Sequence, residues 1–371
     1  MATSQLLNDA NIDHQIALVR YSNGRAQTVL PYMREIVDYL EGRLAKEGET
    51  IATQKALNAL LADVKKKMNT IYTDWETTDF NPIFRDVVKN ELEFQNESIR
   101  ATVEDYTPTV PPQKDALSEA KNRPLQIGSG GGSIAFGKHT TQWKPQEIER
   151  VTNLIESGFR TGQTTQQITR GVVGLKSQRY ADGILNVSRA NIYSMVKTSV
   201  IHLSSSAKSD FAAQNSDLII GERWISTLDT HTTPICRDRD QTVYLFSEYG
   251  KNYPRPPAHY NCRSTMAPEL NPEYSFLTES RTRPAVTEED GKAVAEQVPG
   301  TQSYYTWLKN QPAPVQNDAL GETKGKIFRN AGLSPDEFKR AATNQFGQGL
   351  AIEQMAAKNQ KISSYLQKQQ Q

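Results

Sequence analysis

Leu218-Ile219-Ile220-Gly221-Glu222-Arg223-Trp224-Ile225, followed further on by Val243-Tyr244-Leu245-Phe246, decides the fold. Both runs are rich in β-branched and aromatic residues, are short, and are flanked by polar turn residues, so they read as strands. Nearly everything around them has helical spacing. The chain therefore reads as α+β: mostly helical, with a small mixed α/β domain in the middle and helical N- and C-terminal regions. The segments beside the strands hold the unusual chemistry. One is His231-Thr232-Thr233-Pro234-Ile235-Cys236, and the other is Pro256-Pro257-Ala258-His259-Tyr260-Asn261-Cys262-Arg263. They contain both cysteines of the chain and two of its five histidines.

Outward from this centre, residues 1–106 read as an N-terminal helical region. Ile12, Ile16 and Val19, then Val29, Met33, Val37, Leu40 and Leu44, fall three and four apart and define one helix face in each group. Pro31 marks a kink or a break. Further stripes run through Leu57, Leu60, Leu61, Val64, Met68 and Ile71, and from Phe84 to Val103. Residues 107–142 read as a Pro/Gly-rich linker. Thr107-Pro108-Thr109-Val110-Pro111-Pro112 is stiff and extended, and Gly128-Ser129-Gly130-Gly131-Gly132-Ser133 is flexible by composition. No Lys-Ser/Thr pair follows those glycines, so a phosphate-binding loop is not expected.

Residues 143–275 form the α+β domain. Its helices carry Val151, Leu154, Ile155 and Phe159, then Ile168 and Val172, then Ile192, Met195, Val196, Val200 and Leu203. Residues 276–371 are a polar, mainly helical extension. In it Ser334-Pro335-Asp336-Glu337 is a helix start, and the Gln-rich tail from Lys358 frays or waits for a partner. Tyr304-Tyr305-Thr306-Trp307-Leu308 reads first as an anchor of this extension on its own domain and second as a docking anchor.

Composition narrows the function. With 371 residues the prior is about two to three domains. A hydrophobic fraction of 37% and a mean hydropathy of −0.63 suit long polar helices around a limited core. No run approaches the ~20 apolar residues of a membrane span. The N-terminus lacks the basic start and apolar run of a signal peptide, so a reducing compartment is expected. Basic and acidic residues nearly balance, 43 against 42. Residues 144–210 carry nine basic against five acidic side chains, an excess that reads as a solvated helix surface before it reads as a DNA-binding face.

His231, Cys236, His259 and Cys262 together offer a Cys₂His₂ set that zinc would accept. Four residues separate the first pair, which is not a standard knuckle. The first reading is therefore two buried structural thiols without metal, the second zinc, and the third a disulfide. No other cofactor is expected. Catalysis through Cys262 and His259 needs an accessible low-pKa thiolate with a positioned base, and no nucleophile elbow or HExxH supports it. Asp229, Asp238 and Asp240 cluster, which serves either a polar turn or a metal.

In this order the residues resemble the phage Mu F-like minor head protein family, also called the phage head morphogenesis domain. The resemblance rests on Trp224, Asp229, Thr232, Pro234, Cys236 and Asp240, then Pro257, His259, Asn261, Cys262 and Arg263. It covers residues 143–268 well and 300–356 more loosely, the latter through Tyr305-Thr306-Trp307-Leu308-Lys309-Asn310-Gln311-Pro312 and Ala319-Leu320-Gly321. The family's two arginines around the threonine are His231 and Thr233 here, its Leu-Asp-Gly is Arg239-Asp240-Gln241, and its last cysteine is Ser264. The resemblance implies a non-enzymatic minor capsid component of a tailed bacteriophage, made in the host cytoplasm and placed in the inner head near the portal. It would act in head assembly and in genome packaging or delivery. Its implied partners are the portal protein and the major capsid or scaffold protein, with double-stranded DNA a further candidate. Two other classes stay open, a Cys/His-dependent hydrolase or transferase and a DNA-binding protein ejected with the genome.

Overall fold

The computed structural model describes residues 3–127, 132–250, 252–277, 282–289 and 292–369. It is mostly helical, with two small antiparallel sheets, in keeping with the α+β reading. Gly128 to Gly131 of the glycine run, and the last two residues of the tail, lie outside the described residues.

The N-terminal helices are α1 (Thr3–Gln27), α2 (Leu30–Ala45), α3 (Gln54–Trp75) and α4 (Pro82–Thr102). Pro31 marks a break, since it sits in the first turn of α2, where its missing N–H costs nothing. Residues Glu76–Phe80 form a π-helical turn between α3 and α4. Then come α5 (Gln113–Asn122), α6 (Phe136–Thr141), α7 (Trp143–Arg160), α8 (Thr165–Val173) and the long α9 (Ile184–Gln214). Thr164 starts α8 with a capping box, its hydroxyl accepting from the Gln167 N–H while the Gln167 side chain accepts from the Thr164 N–H.

One hydrophobic core runs from Leu18 to Leu270, and it differs from the expected division. α1 and α4 pack directly on α9, so the N-terminal region and the helices of residues 143–214 bury one another's apolar faces. The expected linker is not bare connection either. α5 packs on α4 and α9, with Ala116 and Ala120 buried. The composition of 107–142 concealed this because a helix that buries only alanines shows no apolar stripe.

α1 also turns a different face inward than its apolar spacing suggests. Asn11, Gln15, Leu18 and Ser22 are buried, whereas Ile16 is 38% exposed and Ile12 and Val19 are only half-buried. The buried face is polar because its partners are polar. Glu91 on α4 accepts from Ser204 on α9 (2.5 Å) and contacts His14 (2.9 Å), and Gln95 donates to Glu91 (2.8 Å). Lys208 on α9 donates to Asn11 (3.0 Å), to Thr265 Oγ1 (3.1 Å) and to the Met266 carbonyl (3.1 Å), and its Nζ lies 3.8 Å from Glu91. Such a network is tolerated in a core because its charges are paired and hydrogen-bonded.

The central sheet comprises β1 (Ile219–Ile225), β2 (Val243–Leu245) and β3 (Thr265–Leu270), in the order β2-β1-β3. Between β1 and β2 lies α10 (Pro234–Arg239), and β2 runs into α11 (Phe246–Tyr249). Trp224 pairs with Met266 across the sheet and is fully buried. Gly221 faces β2 closely, and a Cβ there would meet the Tyr244 carbonyl oxygen at 2.6 Å.

The C-terminal part begins with the hairpin β4 (Thr282–Glu289) and β5 (Lys292–Pro299) and continues through α12 (Tyr304–Lys309), α13 (Ala313–Leu320), α14 (Glu322–Asn330), α15 (Pro335–Ala342), α16 (Ile352–Lys358) and α17 (Gln360–Gln369). The mainly helical reading missed this hairpin, although Asp290-Gly291 between alternating runs is a strong turn signal. Tyr304, Tyr305, Trp307 and Leu308 are buried in a separate core with Phe328, Phe338, Met355 and Ile362, so the aromatic cluster anchors its own region. The tail is helical through Gln369. Ile362 is buried and Lys361 pairs with Glu337 at 2.8 Å. The expected cap at Ser334 forms, with Pro335 in the first turn and a reciprocal bond to Glu337.

Candidate functional site

The central sheet brings the two cysteine segments together. Pro234 stands in the first turn of α10, and Cys236, two residues on, is buried in a cluster that includes Trp224 and Tyr253. The second segment enters through a cis Pro256–Pro257 peptide. Asn261 then takes a left-handed conformation (φ 59°), which asparagine tolerates better than most residues. Its backbone N–H donates to Thr198 Oγ1 (3.1 Å) and its Nδ2 to Ser194 Oγ (3.1 Å), fixing the loop on α9.

Cys236 Sγ lies 3.2 Å from His259 Nε2 and 3.7 Å from Cys262 Sγ. The three ligand-capable atoms all fall within 4.8 Å of one another. Both cysteines are free thiols, each 2% exposed. His259 donates from Nδ1 to the Tyr260 carbonyl (2.8 Å), which leaves the lone pair of neutral Nε2 pointing at sulfur. Burial pushes the Cys236 thiol up, and the neighbouring Cys262 sulfur pushes it further. A hydrogen bond from Cys236, then the His259 imidazole, hold Cys262 well below the usual thiol range against the opposing effect of burial. His259 is raised, because Cys262 outweighs the burial that would lower it. The cluster therefore favours ionisation at Cys262 over ionisation at Cys236.

His231 does not join it. Its side chain is exposed, and its backbone N–H donates to Asp229 Oδ1 (3.1 Å). The Cys₂His₂ set read from the sequence is thus three residues in space. Spacing could not reveal this, because the turn after β1 carries His231 outward before α10 begins. Ser264 is buried beside Cys236, and its hydroxyl favours the ionised form of that sulfur.

The other motif residues are structural ties. Trp224 Nε1 donates to Ser226 Oγ (2.9 Å), which in turn donates to the Cys236 carbonyl (2.7 Å). Asp229 accepts both guanidinium arms of Arg263 (2.6 and 2.9 Å) and the Thr232 hydroxyl (3.0 Å). Burial alone would raise the Asp229 carboxyl, but Arg263 more than offsets this and holds it below the usual range. Asp240 receives the Ser226 N–H (2.8 Å), the Tyr304 N–H (2.8 Å) and both arms of Arg283. Asp238 accepts from Thr343 Oγ1 (2.7 Å). The three aspartates therefore serve three separate partners instead of one shared ion.

Sequence reasoning did not find the cavity of about 310 Å³ between α1 and the sheets. It is lined by the displaced apolar stripe Ile12, Ile16 and Val19, by Ile225 and by Val286. In the basic-rich segment, Lys144 pairs with Glu76, Arg150 with Glu147 and Arg160 with Glu156, and Lys208 is buried. Among the described residues no helix is long and apolar enough to cross a membrane. Comparison with known proteins finds no matching family model, no matching curated protein and no matching solved structure.

Proposed function

We propose that this chain is a non-catalytic assembly component of a tailed-phage head, a minor head protein docking on the portal and the inner capsid. The observation that carries the proposal is the role of the residues on which the family resemblance rests. Trp224, Asp229, Cys236, Asp240, Asn261 and Arg263 tie β1, α10, the 256–264 loop, α9 and the C-terminal part into one brace. A scaffold that must present several docking faces in fixed register needs such a brace. Copy counting by quantitative mass spectrometry of purified particles tests the proposal. A low, reproducible copy number against the major capsid protein, with cross-links to portal, is expected. Absence from particles at every assembly stage overturns it.

The Cys262 and His259 pair favours a second reading, a Cys/His hydrolase or transferase, since an imidazole that favours the ionised form of a neighbouring thiol is a nucleophile's environment. Burial of both sulfurs works against it, because a substrate carbon has to reach the thiolate. Activity-based thiol probes on the folded chain separate the two readings. Labelling of Cys262 without denaturant favours the enzyme, and protection favours the brace.

A further inference from the structure

We propose that Cys236, His259 and Cys262 bind one zinc ion, which cross-links α10 to the 256–264 loop. The inference is independent of the phage reading.

Four observations converge on it. First, the donor set is two sulfurs and one imidazole, the soft and borderline ligands that zinc selects over oxygen-seeking cations. Second, the spacing fits. Two thiolates at about 2.3 Å from a tetrahedral zinc stand about 3.8 Å apart, and the sulfurs are 3.7 Å apart. That separation is far from the roughly 2.05 Å of a disulfide. Third, the Nδ1–H of His259 is already committed to a backbone carbonyl, the outer hydrogen bond that orients metal-ligating histidines. Fourth, the three residues come from two segments held by separate anchors. Cys236 is held through Ser226, and the loop through Thr198 and Ser194, so the cluster is preformed by the fold. Three protein ligands leave one position of the tetrahedron for water or for the hydroxyl of Ser264, which lies beside Cys236. On binding, Zn²⁺ displaces the protons of the Cys236 and Cys262 thiols and any proton on His259 Nε2. These protons leave to solvent, and no electron is transferred.

The full chain, purified under reductant and without chelator, is analysed for metal by mass spectrometry and then exchanged with Co²⁺. The expected result is about one zinc per chain, with thiolate-to-cobalt charge transfer and intense tetrahedral visible bands in the exchanged protein. Cys262→Ser and Cys236→Ser each lower metal content by about tenfold or more, while His231→Ala keeps it. The cobalt spectrum is read on the unaltered chain, so it decides the matter even where a cysteine variant fails to fold. Three results overturn the proposal. One is no zinc after incubation with Zn²⁺ together with no cobalt–thiolate band. Another is recovery of a Cys236–Cys262 disulfide from reduced cytosol. The third is loss of metal in folded His231→Ala.

Discussion

Asp240 and Arg283 form an ion pair in the interior of the protein, with both guanidinium arms 3.0 Å from the carboxylate oxygens and both side chains nearly free of solvent. Arg283 comes from β4 and also donates to the Ser226 and Gln302 carbonyls, whereas Asp240 follows α10 and caps the start of α12 through the Tyr304 N–H. This pair is the main polar tie between the central sheet and the C-terminal part. Replacing Arg283 by leucine leaves Asp240 buried without its charge partner. Breaking such a pair costs about 3–5 kcal/mol. Urea unfolding of Arg283→Leu and of the double variant Arg283→Leu/Asp240→Asn should show the double variant partly restored. Equal stability of the two variants would mean that the penalty does not come from the stranded carboxylate.

Acid should weaken the N-terminal core in two stages. Burial lowers His202 to about 4, aided by neighbouring cations, so the folded chain keeps it neutral where the unfolded chain takes up a proton below about 6.5. Its contribution is complete above that value and is lost as the pH falls toward 4. Burial would raise Glu91, but Lys208, His14 and Ser204 together hold it at about 2 against an ordinary 4.5. Its contribution is complete above 4.5 and disappears between 4.5 and 2, on the order of 3 kcal/mol in all. Stability measured by denaturant titration from pH 7 to 3 should decline in both windows. Glu91→Gln should flatten only the lower one.

Trp307 tests the separate C-terminal core. It is fully buried, packs edge-on against Tyr304 and donates from Nε1 to Glu296 (2.9 Å). Trp307→Ala should cost about 3–5 kcal/mol. Hydrogen exchange should show protection lost in residues 304–369 and retained in α4 and α9, because the core of the latter contains no C-terminal residue. Uniform loss across the chain would show that the two cores unfold as one.

Gly221 tests the central sheet. An added methyl would meet the Tyr244 carbonyl oxygen at 2.6 Å and Leu245 Cα at 3.0 Å, both backbone atoms that cannot rotate away. Gly221→Ala should destabilise the protein by about 1–3 kcal/mol. The accompanying change should be faster amide exchange at Leu245, which pairs with Gly221. A variant as stable as the original would mean that β2 moves aside without cost.

Local signals in the chain were sufficient for those features that depend on a few neighbouring residues. The stripes at Leu57 to Ile71 and Ile192 to Leu203 are helices with those residues buried, except Leu61, which is half-exposed. Pro31, Thr164 and Ser334 begin helices because capping is a matter of three or four adjacent positions. Trp224-Ile225 and Val243 to Leu245 are strands. What required the tertiary structure were choices among chemically equivalent options. Ile12, Ile16 and Val19 were the natural buried face of α1, yet Asn11 and Gln15 face inward, because Gln95 and Lys208 reach Asn11 and the Arg263 carbonyl reaches Gln15, all from segments far away in sequence. Likewise, four residues with metal-ligating side chains stood in the right segments, and only three converge. Side-chain type sets which groups can hold a metal or a proton, but distance decides which of them do. The distance between Cys236 and Cys262 is set by α9, the central sheet and the anchored Asn261 loop rather than by the residues between them.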